Sequence, residues 1–264
     1  MAATGFSAYL EALEARHLAD LRFSDVTRAL RALSSAYVER RESALADHKA
    51  LDGAGKRAAF ALYYGPLHFL LVQHIVREIG LTAEPAAGPE RSRRSVVVDL
   101  GCGTGVAGAA IATHLGASVD DTHLGVLGCD THPWTLDEAR FTYKAFGLPH
   151  DVRRVHAART RFPKDTSIIV AAFVVNELND RDRAVLLEQA VRLKADAACP
   201  QVLIVEPISQ RISPWWDDWA AALVKVGGRA DVWKARIDPP PLVKRLAKAS
   251  GLRPEMLTAR SLFI

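Results

Sequence analysis

Residues 99–105 read Asp-Leu-Gly-Cys-Gly-Thr-Gly, an acid near the end of the apolar run Ser95–Leu100 and three alternating glycines after it. Glycines at such a turn let the main chain take left-handed conformations and approach a ligand closely. The helix start that follows offers unpaired N–H groups to an anion. Together these suit a nucleotide-type cofactor. Gly103, Gly105 and Gly108 also satisfy G-x-G-x-x-G, with Asp130 following a second apolar run. On that pattern alone a dinucleotide and a nicotinamide-dependent oxidoreductase remain open. Asp120 and Asp121 precede the second run and Asp130 follows it, so Asp130 is the expected ligand-side acid. Its bland alternative is to cap the helix that begins near Pro133.

A second set of polar groups follows the fourth apolar run. Val174-Val175-Asn176-Glu177-Leu178-Asn179 places an amide and a carboxylate side by side. Glu177 could serve as a general base, as a hydrogen-bonding orienter, or as the first-turn acid of the next helix. Asn176 could equally be a helix cap. Glu206 closes the fifth run and is taken as a substrate contact lining the other side of the cleft, and Trp215, Trp216 and Trp219 fall within five residues. They form either an aromatic wall for a flat substrate, Trp215 foremost, or the buried face of an amphipathic helix. Near the amino terminus, Tyr63, Tyr64 and His68 supply further polar tips, of which Tyr64 is taken as a substrate contact. No histidine, cysteine or carboxylate spacing marks a metal site.

These groups need a scaffold, and the apolar pattern supplies one. Short β-branched runs at 95–100, 124–130, 152–157, 167–175 and 201–207 alternate with helical stretches at 106–114, 135–146 and 181–194. Continuous apolar strands between helices predict a parallel sheet covered on both faces, a doubly wound α/β domain over 95–264. In such sheets the ligand sits beyond the strands' carboxyl ends. Residues 1–81 read instead as helices, forming a cap that helps enclose the acceptor. Leu10, Leu13, Leu18 and Leu21 keep rough helical spacing, as do Val26, Leu30, Leu33 and Val38, with a cap at Ser24-Asp25 between them. A third helical run, 56–79, is expected to break or bend at Gly65-Pro66. Residues 82–94, with two prolines and three arginines, read as a linker. Helices are also expected at 214–226 and 241–250, and a closing strand at 257–264.

The stretch Val96-Val-Val-Asp99-Leu-Gly101-Cys-Gly103-Thr104-Gly105 resembles motif I of the class I S-adenosylmethionine-dependent methyltransferases. That resemblance implies a Rossmann-like sheet and S-adenosylmethionine as cofactor. It places Asp99 near the methionine end, with Gly101, Gly103, Thr104 and Gly105 packed beside the cofactor. Asp130-Thr131-His-Pro133-Trp-Thr-Leu136-Asp-Glu-Ala139-Arg140 resembles the family's second signature, in which the acid takes both ribose hydroxyls. A carboxylate can accept two donors at once. The polar residue the family carries near the adenine has no clear counterpart in His156-Ala-Ala-Arg159, though Trp134 or His132 could cover the ring. At 176–179 the chain lacks the N/D-P-P-Y/F of many nucleic-acid amino methyltransferases, which argues against that chemistry.

The helical amino-terminal part, motif I, the Asn176-Glu177-Leu178 turn and the Val205-Glu206-Pro207 strand end together resemble a mitochondrial small-ribosomal-subunit methyltransferase-like family. That likeness implies association with the small ribosomal subunit. Many members hold an iron–sulfur cluster on four cysteines; this chain has three. The expected function is methyl transfer to RNA or a small molecule. A cofactor-binding but catalytically silent ribosome assembly factor is the alternative.

Composition sets the outer limits. Of 264 residues, 49% are hydrophobic and 24% charged, which excludes a disordered chain. A net charge of +4 permits contact with nucleic acid without requiring it. Arg153, Arg154, Arg159, Arg161 and Lys164 could meet phosphates or form a solvated face. Cys102, Cys129 and Cys199 lie far apart, which predicts a reducing, cytoplasmic setting. The uncharged stretch 58–76 carries Pro66, two histidines and a glutamine, so it is expected to be a buried helix with no membrane involved.

Overall fold

A computed structural model describes residues 5–39, 51–82, 95–116, 124–194 and 200–264. Residues 83–94 of the expected linker, Asp120, Asp121 and Cys199 lie outside the described residues. The chain divides into two compact units, Met1–Leu70 with Ala235–Leu257, and Leu71–Lys234 with Thr258–Ile264.

The first unit is helical. Its elements are α1 (Gly5–His17), α2 (Phe23–Glu39), α3 (Ala54–Ala59), the start of α4 (Gly65–Glu78) and α9 (Pro241–Ser250). Leu13, Val26, Leu30 and Leu33 are buried, as their spacing predicts, and Leu18 and Leu21 fall beyond the end of α1. Phe6 stacks on Phe69 at 4.6 Å, and Arg245 pairs with Glu14 at 2.6 Å. The expected break at Gly65-Pro66 takes another form. Residues 60–64 make a π turn, in which the Gly65 N–H reaches back to the Phe60 carbonyl. Pro66 has no N–H to give, and the widened turn lets the helix run on through it. Residues 54–78 are long and apolar enough to cross a membrane by length and composition, but 67% of their most apolar window is buried within the protein.

The second unit carries the sheet. Its strands are β1 (Ser95–Leu100), β2 (Leu124–Asp130), β3 (His150–Arg154), β4 (Thr166–Ala172), β5 (Gln201–Glu206), β6 (Arg229–Arg236) and β7 (Met256–Phe263), in the order β3-β2-β1-β4-β5-β7-β6. The four pairings from β3 through β5 are parallel, and β7 runs antiparallel to β5. Helices α5 (Val106–His114), α6 (Pro133–Ala145), α7 (Asp180–Lys194) and α8 (Trp216–Lys225) connect the strands. This is an α/β, Rossmann-like sheet. Its core holds Val98, Leu100, Ile169 and Ile204, with Trp216, Trp219 and Leu223 of α8 packed against them. The chain order reverses between β1 and β4, so the crevice where a ligand sits opens at their carboxyl ends.

Candidate cofactor and acceptor site

The loop after β1 turns on three left-handed glycines, Gly101 (φ 59°), Gly103 (φ 52°) and Gly105 (φ 77°). Space matters as much as dihedral angle. A Cβ at Gly101 would lie 2.2 Å from a Val174 methyl, and one at Gly105 would lie 2.9 Å from the Ala139 Cα. The Cys102 N–H donates to the Cys129 carbonyl at 3.0 Å, tying the loop to the end of β2. Thr104 is buried within it.

Asp130 ends β2 beside this loop, half-buried. Its Oδ2 accepts from the Gly103 N–H at 3.0 Å, and its Oδ1 accepts from the His132 N–H at 2.9 Å. The helix α6 is capped by another residue: His132 Nδ1 accepts from the Trp134 N–H at 3.1 Å, with Pro133 in the first turn. Asp130 is thus free of the capping role. Thr131 is half-buried next to it, and its carbonyl accepts from Arg154 Nε.

Asp99 lies beneath the loop, 1% exposed. Its Oδ2 accepts from the Gly108 N–H at 2.8 Å and from the Tyr143 hydroxyl at 3.2 Å. Burial pushes its pKa up to about 7, against the pull of those two donors. Asp99 therefore joins β1, α5 and α6 under the glycine turn. Tyr143, invisible as a site residue in the sequence, completes that joint.

The turn after β4 supplies the third wall. Phe173 takes a left-handed φ of 61°, the single non-glycine residue to do so among those described. Such a backbone costs of the order of 1–3 kcal/mol and persists only where its surroundings enforce it. Here the Phe173 N–H is fixed to the Val205 carbonyl at 2.8 Å, and Val174 packs against Gly101. Residues 175–177 then make one 3₁₀ turn. The Asn176 side-chain oxygen is buried without a partner. Glu177 is open to solvent yet crowded by surrounding protein, as a group lining a cleft is. That crowding, with the Asp130 charge, pushes its pKa up to about 7.

Glu206, at the end of β5, is fully buried, and its Oε1 accepts from the Val175 N–H at 2.8 Å and the Asn176 N–H at 3.3 Å. Its cross-strand neighbour is Arg260 of β7. Arg260 donates to the Ser213 carbonyl at 3.1 Å and lies over the Trp216 ring at 4.3 Å. Trp215 is half-buried and packs edge-on against Trp219 at 4.8 Å. Tyr64 belongs to the first unit, where its ring meets Tyr63 edge-on at 5.1 Å. Arg260, Ser213 and the Phe173 backbone escaped sequence reasoning. An arginine in a terminal strand carries no motif, and a φ angle leaves no mark in composition.

The structure thus brings the glycine loop, Asp130, Asn176 and Glu177 together at the carboxyl ends of β1, β2 and β4. The residues fit a cofactor with a ribose. The main chain is bare where a Cβ would collide, and a carboxylate stands at its edge.

Comparison with known proteins agrees. Residues 97–196 match the family model described as a methyltransferase domain. Among solved structures, the CMeT domain of the citrinin polyketide synthase superposes with a TM-score of 0.51 at 13% identity, over 90% of this chain and 65% of that one. A S-adenosylmethionine-dependent methyltransferase from Aquifex aeolicus gives 0.45 at 14% identity, over 75% of this chain and 91% of that one. The search of curated proteins by sequence returned no match. Neither the nicotinamide-dependent reading nor the catalytically silent one finds support in these comparisons.

Proposed function

We propose that this chain, whose residues 97–196 match a methyltransferase domain, transfers a methyl group from S-adenosylmethionine to an RNA or a small molecule that carries its own nucleophile. The observation that carries the reading is the packing of the strained turn 173–177 against the glycine loop through Val174 and Gly101. On this reading Asn176 and Glu177 stand beside the cofactor's cradle.

Bound there, S-adenosylmethionine supplies a methyl group already activated on a sulfonium. The protein's work is then positioning and proton removal. On this reading Asp130 takes the ribose hydroxyls, and the backbone of Gly101, Gly103 and Gly105 packs beside the cofactor. Glu177 orients the acceptor or takes its proton, and Asn176 offers its side-chain oxygen as a hydrogen-bond acceptor. Trp215 is proposed as a substrate contact.

RNA is favoured by one specific observation. Arg153, Arg154, Arg159, Arg161 and Lys164 are all exposed along β3 and the segment after it, and Arg154 donates to the Thr131 carbonyl next to Asp130. Small-ribosomal-subunit association is the narrower form of this reading, and a cytoplasmic location accords with the free, buried Cys102 and Cys129. Incubation with methyl-labelled cofactor and, separately, total RNA or a metabolite extract tests the proposal. Label in RNA that weakens steeply with added salt supports RNA. Label only among small molecules assigns the acceptor to that class, and label in neither overturns the activity.

A further inference from the structure

We propose that Glu206 is a positioning residue for methyl transfer, its buried carboxyl group holding the Phe173–Glu177 turn in the geometry that presents Asn176 and Glu177. The inference rests on the methyltransferase reading of the site.

Three observations point to it. One oxygen of Glu206 accepts both the Val175 and the Asn176 N–H, the two amides that open the 3₁₀ turn. Two residues ahead of Val175, Phe173 is left-handed and is fixed by its N–H to Val205, the neighbour of Glu206 on β5. The turn is therefore held at Phe173 and again at Val175 and Asn176 by the last two residues of one strand. Finally, the group is a poor choice for stability alone. It is fully buried, its Oε2 has no partner, and it makes no ion pair with Arg260, whose Nε is likewise unpartnered. Burying a carboxyl oxygen without a partner costs stability.

The surrounding charges agree with this assignment. Burial raises the Glu206 pKa to about 8, opposed by the Asn176 and Val175 N–H groups and by Arg260, and reinforced by Glu177. Asp217 faces Arg260 from α8. The strain at Phe173 and the acceptor at Glu206 thus form one device. The turn is bent by the backbone and kept bent by the carboxylate.

The full-length protein and its Glu206→Gln, Glu206→Asp and Glu206→Leu variants decide the matter with three readouts. These are hydrogen exchange over residues 171–180, S-adenosylhomocysteine affinity by calorimetry, and single-turnover methyl transfer with cofactor saturating. Glu206→Leu is expected to lose exchange protection at Val175 and Asn176 and to slow transfer about 100-fold, the scale of a small misplacement of reacting groups. Cofactor affinity should stay within about threefold, because the cofactor contacts lie on other strands. Glu206→Gln, which keeps an acceptor oxygen at the same reach, should recover most of both losses. If Glu206→Leu does not fold, Glu206→Asp takes its place: one methylene shorter, it should show the same split between rate and affinity. Lost protection with an undiminished rate, or a lost rate with protection intact, overturns the proposal. Absence of S-adenosylhomocysteine binding in the unmodified protein would instead sink the methyltransferase reading, while the exchange data would still report on Glu206.

Discussion

The Gly103 N–H donates to Asp130 Oδ2 at 3.0 Å, so the residue expected to hold the cofactor's ribose also holds the loop expected to flank it. One carboxylate joins the two cofactor signatures. Its other oxygen is engaged by the His132 N–H, which fixes the plane of the group before a ligand arrives.

Removing Asp130 should therefore act twice. Asp130→Ala is expected to weaken S-adenosylhomocysteine binding by about 1.5–3 kcal/mol, the scale for hydrogen bonds to a charged group. Asp130→Asn should lose less, since it keeps one acceptor. Calorimetry measures both, and tight NAD binding in the same cell would contradict the cofactor assignment.

Gly101 and Val174 make a paired test of the wall between cofactor and acceptor. Gly101→Ala puts a Cβ 2.2 Å from a Val174 methyl in a left-handed backbone, and is expected to destabilise the fold by roughly 1–3 kcal/mol. Adding Val174→Ala should recover part of that loss, leaving the backbone strain. Denaturation of the single and double variants reads the coupling; strictly additive losses would mean the two do not meet.

Glu177 separates three roles by kinetics. As a general base it contributes about 10²–10⁴-fold in rate, lost in both Glu177→Gln and Glu177→Ala. As an orienter it leaves the Gln variant active. As a helix-start acid it matters only for stability, by about 0.3–1 kcal/mol. With its pKa raised to about 7, the base role also predicts a rate that climbs as pH rises through neutrality. A flat profile with both variants active removes Glu177 from the chemistry.

Stability should fall as pH rises. Asp99 and Glu206 are buried with pKa values raised to about 7 and about 8, so the folded protein keeps protons that the unfolded chain releases. Their favourable contribution is complete below the ordinary carboxylate range and is lost as pH passes through those raised values. Urea midpoints between about pH 5 and pH 9 should therefore decline, and Asp99→Asn or Glu206→Gln should flatten the slope. A midpoint that rises over that range would refute the assignment.

The sequence was a good guide where burial and period coincide. Ser95–Leu100, Leu124–Asp130, Val106–His114 and Pro241–Ser250 begin and end where their apolar runs and flanking Gly or Pro place them. It misled where backbone geometry overrides composition. The apolar run 167–175 reads as one strand, yet β4 stops at Ala172 because Phe173 turns left-handed. At the sheet's edge, β3 covers 150–154 instead of 152–157, since only Val152 of it is buried and hydrophobicity has little to mark. The strand β6 was missed for the same reason: Arg229–Arg236 is mostly exposed, and its charges hide its alternation. Within the site, the motif residues could be named in advance, but what holds them could not. Tyr143 and Arg260 act through the fold, from positions 44 and 54 residues away from their partners Asp99 and Glu206.

The order β5-β7-β6 has a consequence for the growing chain. β5 ends at Glu206 and its antiparallel neighbour begins only at Met256, fifty residues later. At ordinary elongation rates the outer edge of Gln-Val-Leu-Ile-Val-Glu stays unpaired for roughly 2–10 s after it emerges. A β-branched apolar edge left open is a template for other strands. The same terminal strand that carries Arg260 to Glu206 is therefore what ends the nascent protein's exposure to aggregation.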